Sequence, residues 1–395
     1  MQKKLKHKDK QCVLPSWPDV SNVEISAVVR ALKNTYLSRG PLVKEFEEKL
    51  ARYVGTRYAV AVSSGTAALH LVVESLGIGR GDLVITTPIS FIASSNCLLY
   101  VGAKPVFVDV DPVSLNIDPV LVEKKIIELR KNPRTRRRLK AILAVDIFGV
   151  PARWDKLERI AHRYRLKLIE DAGEAMGAEL LVRGSWRKAG SFGDVSIVSF
   201  TYNKQMTTGE GGVLFTNDRG IAELARSLKN HGRAPGGAWL NHVRLGYNYH
   251  ISDINVALGI AQLGRIKELL RRRTRAAELY SGKLHGLGSV ESPSAHRDIR
   301  KSWFVYVIRL PLRFAGSRRD RVIKEMFARG IHCRNYFPPI HLQPFYKKSF
   351  GYKVGMFPIA EGIASRSLSL PFYSRISSSQ VDYVVKHLKN ILNTL

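Results

Sequence analysis

The sequence predicts an α/β protein: a mainly parallel sheet flanked by helices, followed by a smaller C-terminal α+β unit. Two observations carry this. Short β-rich runs alternate with helical periodicity between Arg57 and Phe215, as βαβ units on a covered parallel sheet require. Beyond a long helix that begins near Ile251, with Ser252 as its cap, single strands and helices follow in mixed order.

In chain order, helical spacing covers Asn22 to Leu32 and Val43 to Tyr53. Tyr58 to Val62 reads as a strand and Ala67 to Leu76 as its helix; Leu83 to Thr86 is paired in the same way with Phe91 to Tyr100, and Pro105 to Asp109 with Pro119 to Arg130. Asp118 can cap free N–H groups there, and Pro119 suits a first turn. Ala141 to Ile147 precedes the helix Trp154 to Tyr164, and the strand Leu166 to Ile169 runs into Glu170 and Asp171. Val195 to Phe200 and Gly212 to Phe215 close the block. After the long helix, Trp303 to Leu310 alternates like a strand, while Arg319 to Ala328 and Gln380 to Leu392 are amphipathic helices. The division expected is a basic segment at 1–20, a large α/β domain at 21–250, and the connecting helix with the small domain at 251–395.

The 395 residues suffice for two or three cores, and 45% hydrophobic with 24% charged residues is an ordinary globular balance that excludes a disordered chain. No apolar run is long enough to span a membrane or to form a secretory core, so a cytoplasmic protein is expected. Cys12, Cys97 and Cys333 stand apart with no CxxC pair, so neither disulfides nor a metal site is expected. Lysine and arginine number 63 against 33 acidic residues, a net charge of +30 that favours polyanionic partners without choosing among them. The densest runs, RTRRRLK at 134–140 and KELLRRRTR at 267–275, lack interleaved aromatics and read as solvated faces rather than a nucleic-acid patch.

Ligands of open parallel sheets gather beyond the carboxyl ends of the strands. Four places there carry chemistry. Val62 to Ala67, VSSGTA, offers hydroxyls and free N–H groups at a helix start and could bind a phosphate; alone it is equally a capped helix. In IEDAGEAMG, Glu170 and Asp171 end an apolar strand, where a carboxylate needs either solvent or a cation. SFTYNKQMTTGEGG puts Lys204 just past a buried strand, where desolvation lowers its pKa toward a nucleophilic amine. Phe91 follows TTPIS and alone would be a core aromatic.

This ordered set, with SRGPLVKEFEEKLARYVG, SSGTAALHL, KPVFVDVD, SFGDVSIVSF, NKQMTTGEGG, KNHGR, GYNYHISDI, SWFVYVIRL and YFPPIHLQPFY, resembles the fold-type I pyridoxal-phosphate enzymes. Within them it is similar to the DegT/DnrJ/EryC1/StrS sugar aminotransferases over nearly the whole chain. The resemblance implies pyridoxal 5'-phosphate as cofactor, a nucleotide-linked keto-sugar as acceptor, an amino-acid donor (glutamate being expected), polysaccharide or glycoconjugate biosynthesis, and a homodimer. It implies that Lys204 bonds covalently to the cofactor and that Asp171 pairs with the pyridine nitrogen. Gly65, Thr66 and Ser199 match phosphate contacts, Phe91 the ring-stacking aromatic, and Glu174 the residue near the ring hydroxyl, often glutamine in the family. Asn248 matches an asparagine sent across the dimer interface to the partner's cofactor phosphate. Two residues on, His250 stands where the family usually has arginine, so an anion contact there is weakened or titratable. Tyr202, where related chains often have proline, is a smaller departure. His341 in the Pro-rich aromatic loop is a candidate substrate contact or else a packed histidine. Two other readings remain: a dehydratase of the same family, in which histidine typically replaces the lysine, and a nucleic-acid-binding protein on the same fold, favoured by the charge alone.

Overall fold

The computed structural model describes residues 12–234, 240–287, 290–293 and 297–395; the basic leader before Cys12 lies outside them. Helices α1 (Asn22–Leu32) and α2 (Pro41–Val54) precede strand β1 (Tyr58–Val62) and α3 (Gly65–Ser75). Then come β2 (Leu83–Thr86), α4 (Ala93–Tyr100), β3 (Lys104–Phe107), α5 (Pro119–Arg130), the short α6 (Pro133–Arg138), β4 (Leu139–Val145), α7 (Trp154–Tyr164) and β5 (Lys167–Asp171). A hairpin of β6 (Glu179–Val182) and β7 (Ser185–Lys188) leads to β8 (Val195–Ser199), β9 (Gly212–Thr216) and α8 (Arg219–Leu228).

The central sheet runs in the order β1-β9-β8-β5-β4-β2-β3. Only β9 is antiparallel to its neighbours, pairing Tyr58 with Thr216 on one side and Val195 with the same Thr216 on the other. The remaining pairings are parallel, so β1, β2, β4, β5 and β8 all end on one side of the molecule. Both faces are covered: Leu71, Val72 and Cys97 from α3 and α4 pack on one, and Trp154 and Leu157 from α7 on the other. Each such apolar side chain contributes roughly 1.5–3 kcal/mol on burial, which is why strands covered on both faces read as continuous Val, Ile, Leu and Ala.

The expected long helix is two. α9 (Asp253–Gly264), capped by Ser252 as anticipated, ends at Gly264, and α10 (Ile266–Leu284) starts directly after Arg265. The break has a cause: Arg265 turns out of helical geometry to donate to both carboxylate oxygens of Glu24 and to Ser21 Oγ. The C-terminal unit contains β10 (Ile299–Arg300), which extends the β6–β7 hairpin, and β11 (Tyr306–Arg309). α11 (Ser317–Ala328), α12 (Pro344–Phe350) and α13 (Pro358–Arg366) follow, then β12 (Ser367–Leu370), antiparallel to β11, and α14 (Ser378–Thr394). Tyr280, Tyr306, Val322 and Leu388 centre its core. Phe304, Phe337 and Ile363 from this unit instead join the cluster around β1 and α3, so the two halves share packed surface beside the strand ends.

Candidate active site

A cavity of about 350 Å³ opens at those strand ends. Seven of the ten residues singled out from the sequence line it: Lys204, Asp171, Gly65, Thr66, Phe91, Glu174 and Ser199. The floor is the junction of β1 and α3. Ser64 caps α3 by accepting the Ala67 N–H at 3.1 Å, and Ser64, Gly65 and Thr66 line the cavity, so the turn is a capped helix whose N-terminus borders the cavity as an anion cup would. Glycine is required at 65, since a Cβ there would stand 2.8 Å from the Ser199 Cβ. The approach brings the Ser199 and Thr66 hydroxyls to one cup.

Asp171 ends β5 and is 6% exposed. Ser94 Oγ donates to one of its oxygens at 2.6 Å and the Gly173 N–H to the other at 3.0 Å. Burial pushes its pKa up, opposed by those two donors and by the Lys204 charge. Glu174 receives the Phe148 N–H at 2.9 Å and is pushed up to about 7 by burial, with Lys204 pulling the other way. Lys204 lies with its Nζ 3.9 Å from the centre of the Phe304 ring. Burial lowers its pKa, Glu174 and Asp171 oppose the shift, and Arg273 adds to it.

Reading motifs missed part of this site. Ser90 and Ser94 follow β2 closely enough to have been inspected with Phe91. Phe304, Tyr336 and Phe337 come from the C-terminal unit; they lie in the segments SWFVYVIRL and YFPPIHLQPFY, but nothing local in those segments assigns them to the cavity. Arg273 corrects the reading of the second basic run as wholly solvated, since it is 4% exposed. Its guanidinium donates to the Asn203 and Lys204 carbonyls at 3.0 and 2.7 Å and to the Phe304 carbonyl at 3.1 Å, fixing the lysine's backbone against the opposite wall. Glu170 meets neither solvent nor a cation. It accepts the Gly190 and Phe192 N–H groups and lies hydrogen-bonded to Asp146, and burial followed by that second carboxyl raises its pKa well above the usual range.

Three candidates lie elsewhere. Asn248 is exposed, bridged to Asn230, and does not line the cavity of its own chain. His250 Nε2 is 3.1 Å from Asn230 Oδ1; burial, then Lys229, Arg39, His231 and Arg233, push its pKa down to about 4, so within one chain it is neutral at pH 7 rather than titrating there. His341 is a packed histidine and not a cavity contact: it is 0% exposed, its Nε2 is 3.0 Å from Glu361, and its ring meets Phe357 edge-on at 4.7 Å. The Pro and aromatic loop that suggested a rigid substrate wall buries it instead.

The profile of the DegT/DnrJ/EryC1/StrS aminotransferase family matches residues 18–389. The chain belongs to this family. A relative in Caulobacter vibrioides, GDP-perosamine synthase, is 37% identical over 377 residues, 95% of this chain and 97% of that one. The spore coat polysaccharide biosynthesis protein SpsC of Bacillus subtilis is 36% identical over 387 residues, covering 95% and 96%. Among solved structures, Helicobacter pylori PseC, an aminotransferase of pseudoaminic acid biosynthesis, superposes with a TM-score of 0.89 at 26% identity, covering 98% of this chain and all of the other. DesV of S. venezuelae, solved with a ketimine intermediate, gives 0.84 at 31% identity, covering 95% and 98%. The protein is therefore a pyridoxal-phosphate-dependent sugar aminotransferase. The cavity fits that cofactor: a cup of N–H and hydroxyl donors suits the phosphate, a buried carboxylate suits a protonated pyridine nitrogen, and a desolvated lysine suits an aldehyde. Among the described residues no helix is long and apolar enough to cross a membrane.

Proposed function

We propose that this aminotransferase moves an amino group from an amino acid, glutamate foremost, to the keto group of a nucleotide-linked sugar. The observation that carries the reading is the meeting of Lys204, Asp171 and the Gly65–Thr66–Ser199 cup in one cavity. When bound, pyridoxal phosphate supplies an aldehyde that takes up the amino group and a ring that withdraws electrons from the reacting carbon.

The chain's own groups supply the rest. Lys204, its pKa lowered by burial and by Arg273, serves as nucleophile and then as proton carrier at the substrate carbon. Asp171, oriented by Ser94 and Gly173, holds a positive charge at the ring nitrogen. Ser199, Thr66 and the N-terminus of α3 hold the phosphate, while Phe91 and Phe304 line the cavity as apolar walls. Glu174, beside Lys204, holds or releases a proton near neutral pH. The test is a panel of keto-sugar nucleotides with glutamate, followed by mass: one amino product is expected, and the absence of amination across nucleoside diphosphate sugars, with free keto-sugars turned over instead, sinks the nucleotide-linked substrate.

The homodimer belongs to the same proposal. α1 packs on α9 and leaves Val23, Val29 and Leu32 exposed, and Leu240 and Leu245 stand exposed on the loop that carries Asn248. That Asn248 is exposed and does not line the cavity of its own chain supports its serving a partner's. Mixing a Lys204→Ala chain with a chain carrying a bulky or acidic replacement at Asn248 then puts both lesions in one site of each mixed dimer and none in the other. Random pairing should restore roughly a quarter of all sites. If mixing restores nothing, Asn248 acts within its own chain.

A further inference from the structure

The cavity leaves most of the positive charge unused, and part of that charge gathers at the other end of the same strands. Lys104 opens β3 beside Leu83 at the start of β2, and Leu83 in turn lies beside Leu139, between Arg138 and Lys140. α6 adds Arg134, Arg136 and Arg137, all exposed. The face is continuous across these elements: the Arg138 guanidinium lies 3.8 Å from where a Cβ on Gly81 would stand, and the Arg80 backbone 3.3 Å from the equivalent point on Gly102. The ion pairs of this neighbourhood among the described residues are Lys125–Glu128, Arg163–Glu123 and Lys167–Asp194, none of which uses these cations. Asp82 is spent on the Gly79 N–H.

We propose that this face docks the enzyme on an anionic lipid surface, with the cavity at the opposite ends of the strands turned toward solution. Two features favour lipid over nucleic acid. The cations spread across neighbouring strand starts, about 4.8 Å apart, and few rings accompany them: Tyr164 lies beneath Arg130, and the exposed Tyr100 has one edge against His70. In addition, Lys124, Ile127 and Lys131 form one exposed stripe at helical spacing on and just beyond α5, the helix that leads into α6. An exposed isoleucine between two lysines gains nothing from a phosphodiester backbone. At a headgroup boundary the isoleucine enters the apolar side while the lysines reach lipid phosphates.

The test is sedimentation of the holoenzyme with vesicles of phosphatidylcholine alone or with one quarter phosphatidylglycerol, at 0.1 M salt. Binding is expected to the mixed vesicles only and to fall as salt rises. A variant with Arg134, Arg136, Arg137 and Lys140 changed to Glu should bind more than tenfold more weakly, each cation near such a surface contributing roughly fivefold. Its turnover should stay at the wild-type level, because none of the four lines the cavity. A second variant with Arg313, Arg318, Arg321 and Lys324 changed to Glu lowers the net charge equally and should bind as the wild type does. Equal binding to both vesicle types, equal losses in both variants, or tighter binding of RNA or duplex DNA than of the mixed vesicles would each overturn the proposal.

Discussion

Replacement of Lys204 by alanine is predicted to lower amino transfer by roughly three orders of magnitude or more, because nucleophile and proton carrier disappear together. The protein should still fold and bind the cofactor. Lys204 makes a backbone bond, N–H to the Thr201 carbonyl at 3.0 Å, that alanine keeps, and its own carbonyl stays in the grip of Arg273. The cup and Asp171 are untouched. The measurement pairs turnover with borohydride reduction and peptide mass. Wild-type protein should carry the reduced cofactor on the peptide containing Lys204 and the variant on none. A cofactor fixed to any other lysine removes Lys204 from its assigned role.

The second large effect is predicted for Asp171→Asn. The amide matches the carboxylate in shape, and its oxygen can still accept the Gly173 N–H while Ser94 Oγ rotates to accept from the amide nitrogen. Fold and most cofactor affinity should therefore survive. What is lost is the charge: a neutral amide cannot pair with a protonated ring nitrogen. With about 3 kcal/mol at stake for a hydrogen bond between charged groups, turnover should fall roughly a hundredfold or more. The visible spectrum of the bound cofactor should shift with it. Turnover within a few-fold of the wild type sets Asp171 outside the mechanism.

Much of the sheet was legible because its strands are buried on both faces, which forces unbroken apolar runs: Tyr58–Val62 and Leu83–Thr86 have the expected limits, as does the helix Trp154–Tyr164. The hairpin Glu179–Lys188 was not legible, since it is half-buried and its run ELLVRGSWRK mixes apolar and charged residues. α6 escaped for a different reason. Its Asn132 cap and Pro133 start are ordinary helix signals, masked by the attention its arginines draw. Within the site, groups standing just past a strand end were found and those brought in from the C-terminal unit were not. Arg273 and His341 show the limit sharply: their identity is plain in the chain, but whether a cation or an imidazole faces water is decided by segments 30 or more positions away for Arg273 and by the Glu361 side chain, 20 positions on, for His341.

The grip of Arg273 bears on how the enzyme can breathe. One guanidinium on α10 ties the backbone of the lysine loop to the segment entering β11, so the lysine's backbone and the Phe304 wall are joined. A swing of the C-terminal lobe hinged between them would have to expose a buried cation and strand three carbonyls. A bulky sugar can instead approach by the rim, where Phe91 lines the cavity and is 59% exposed, while the lysine's backbone stays held.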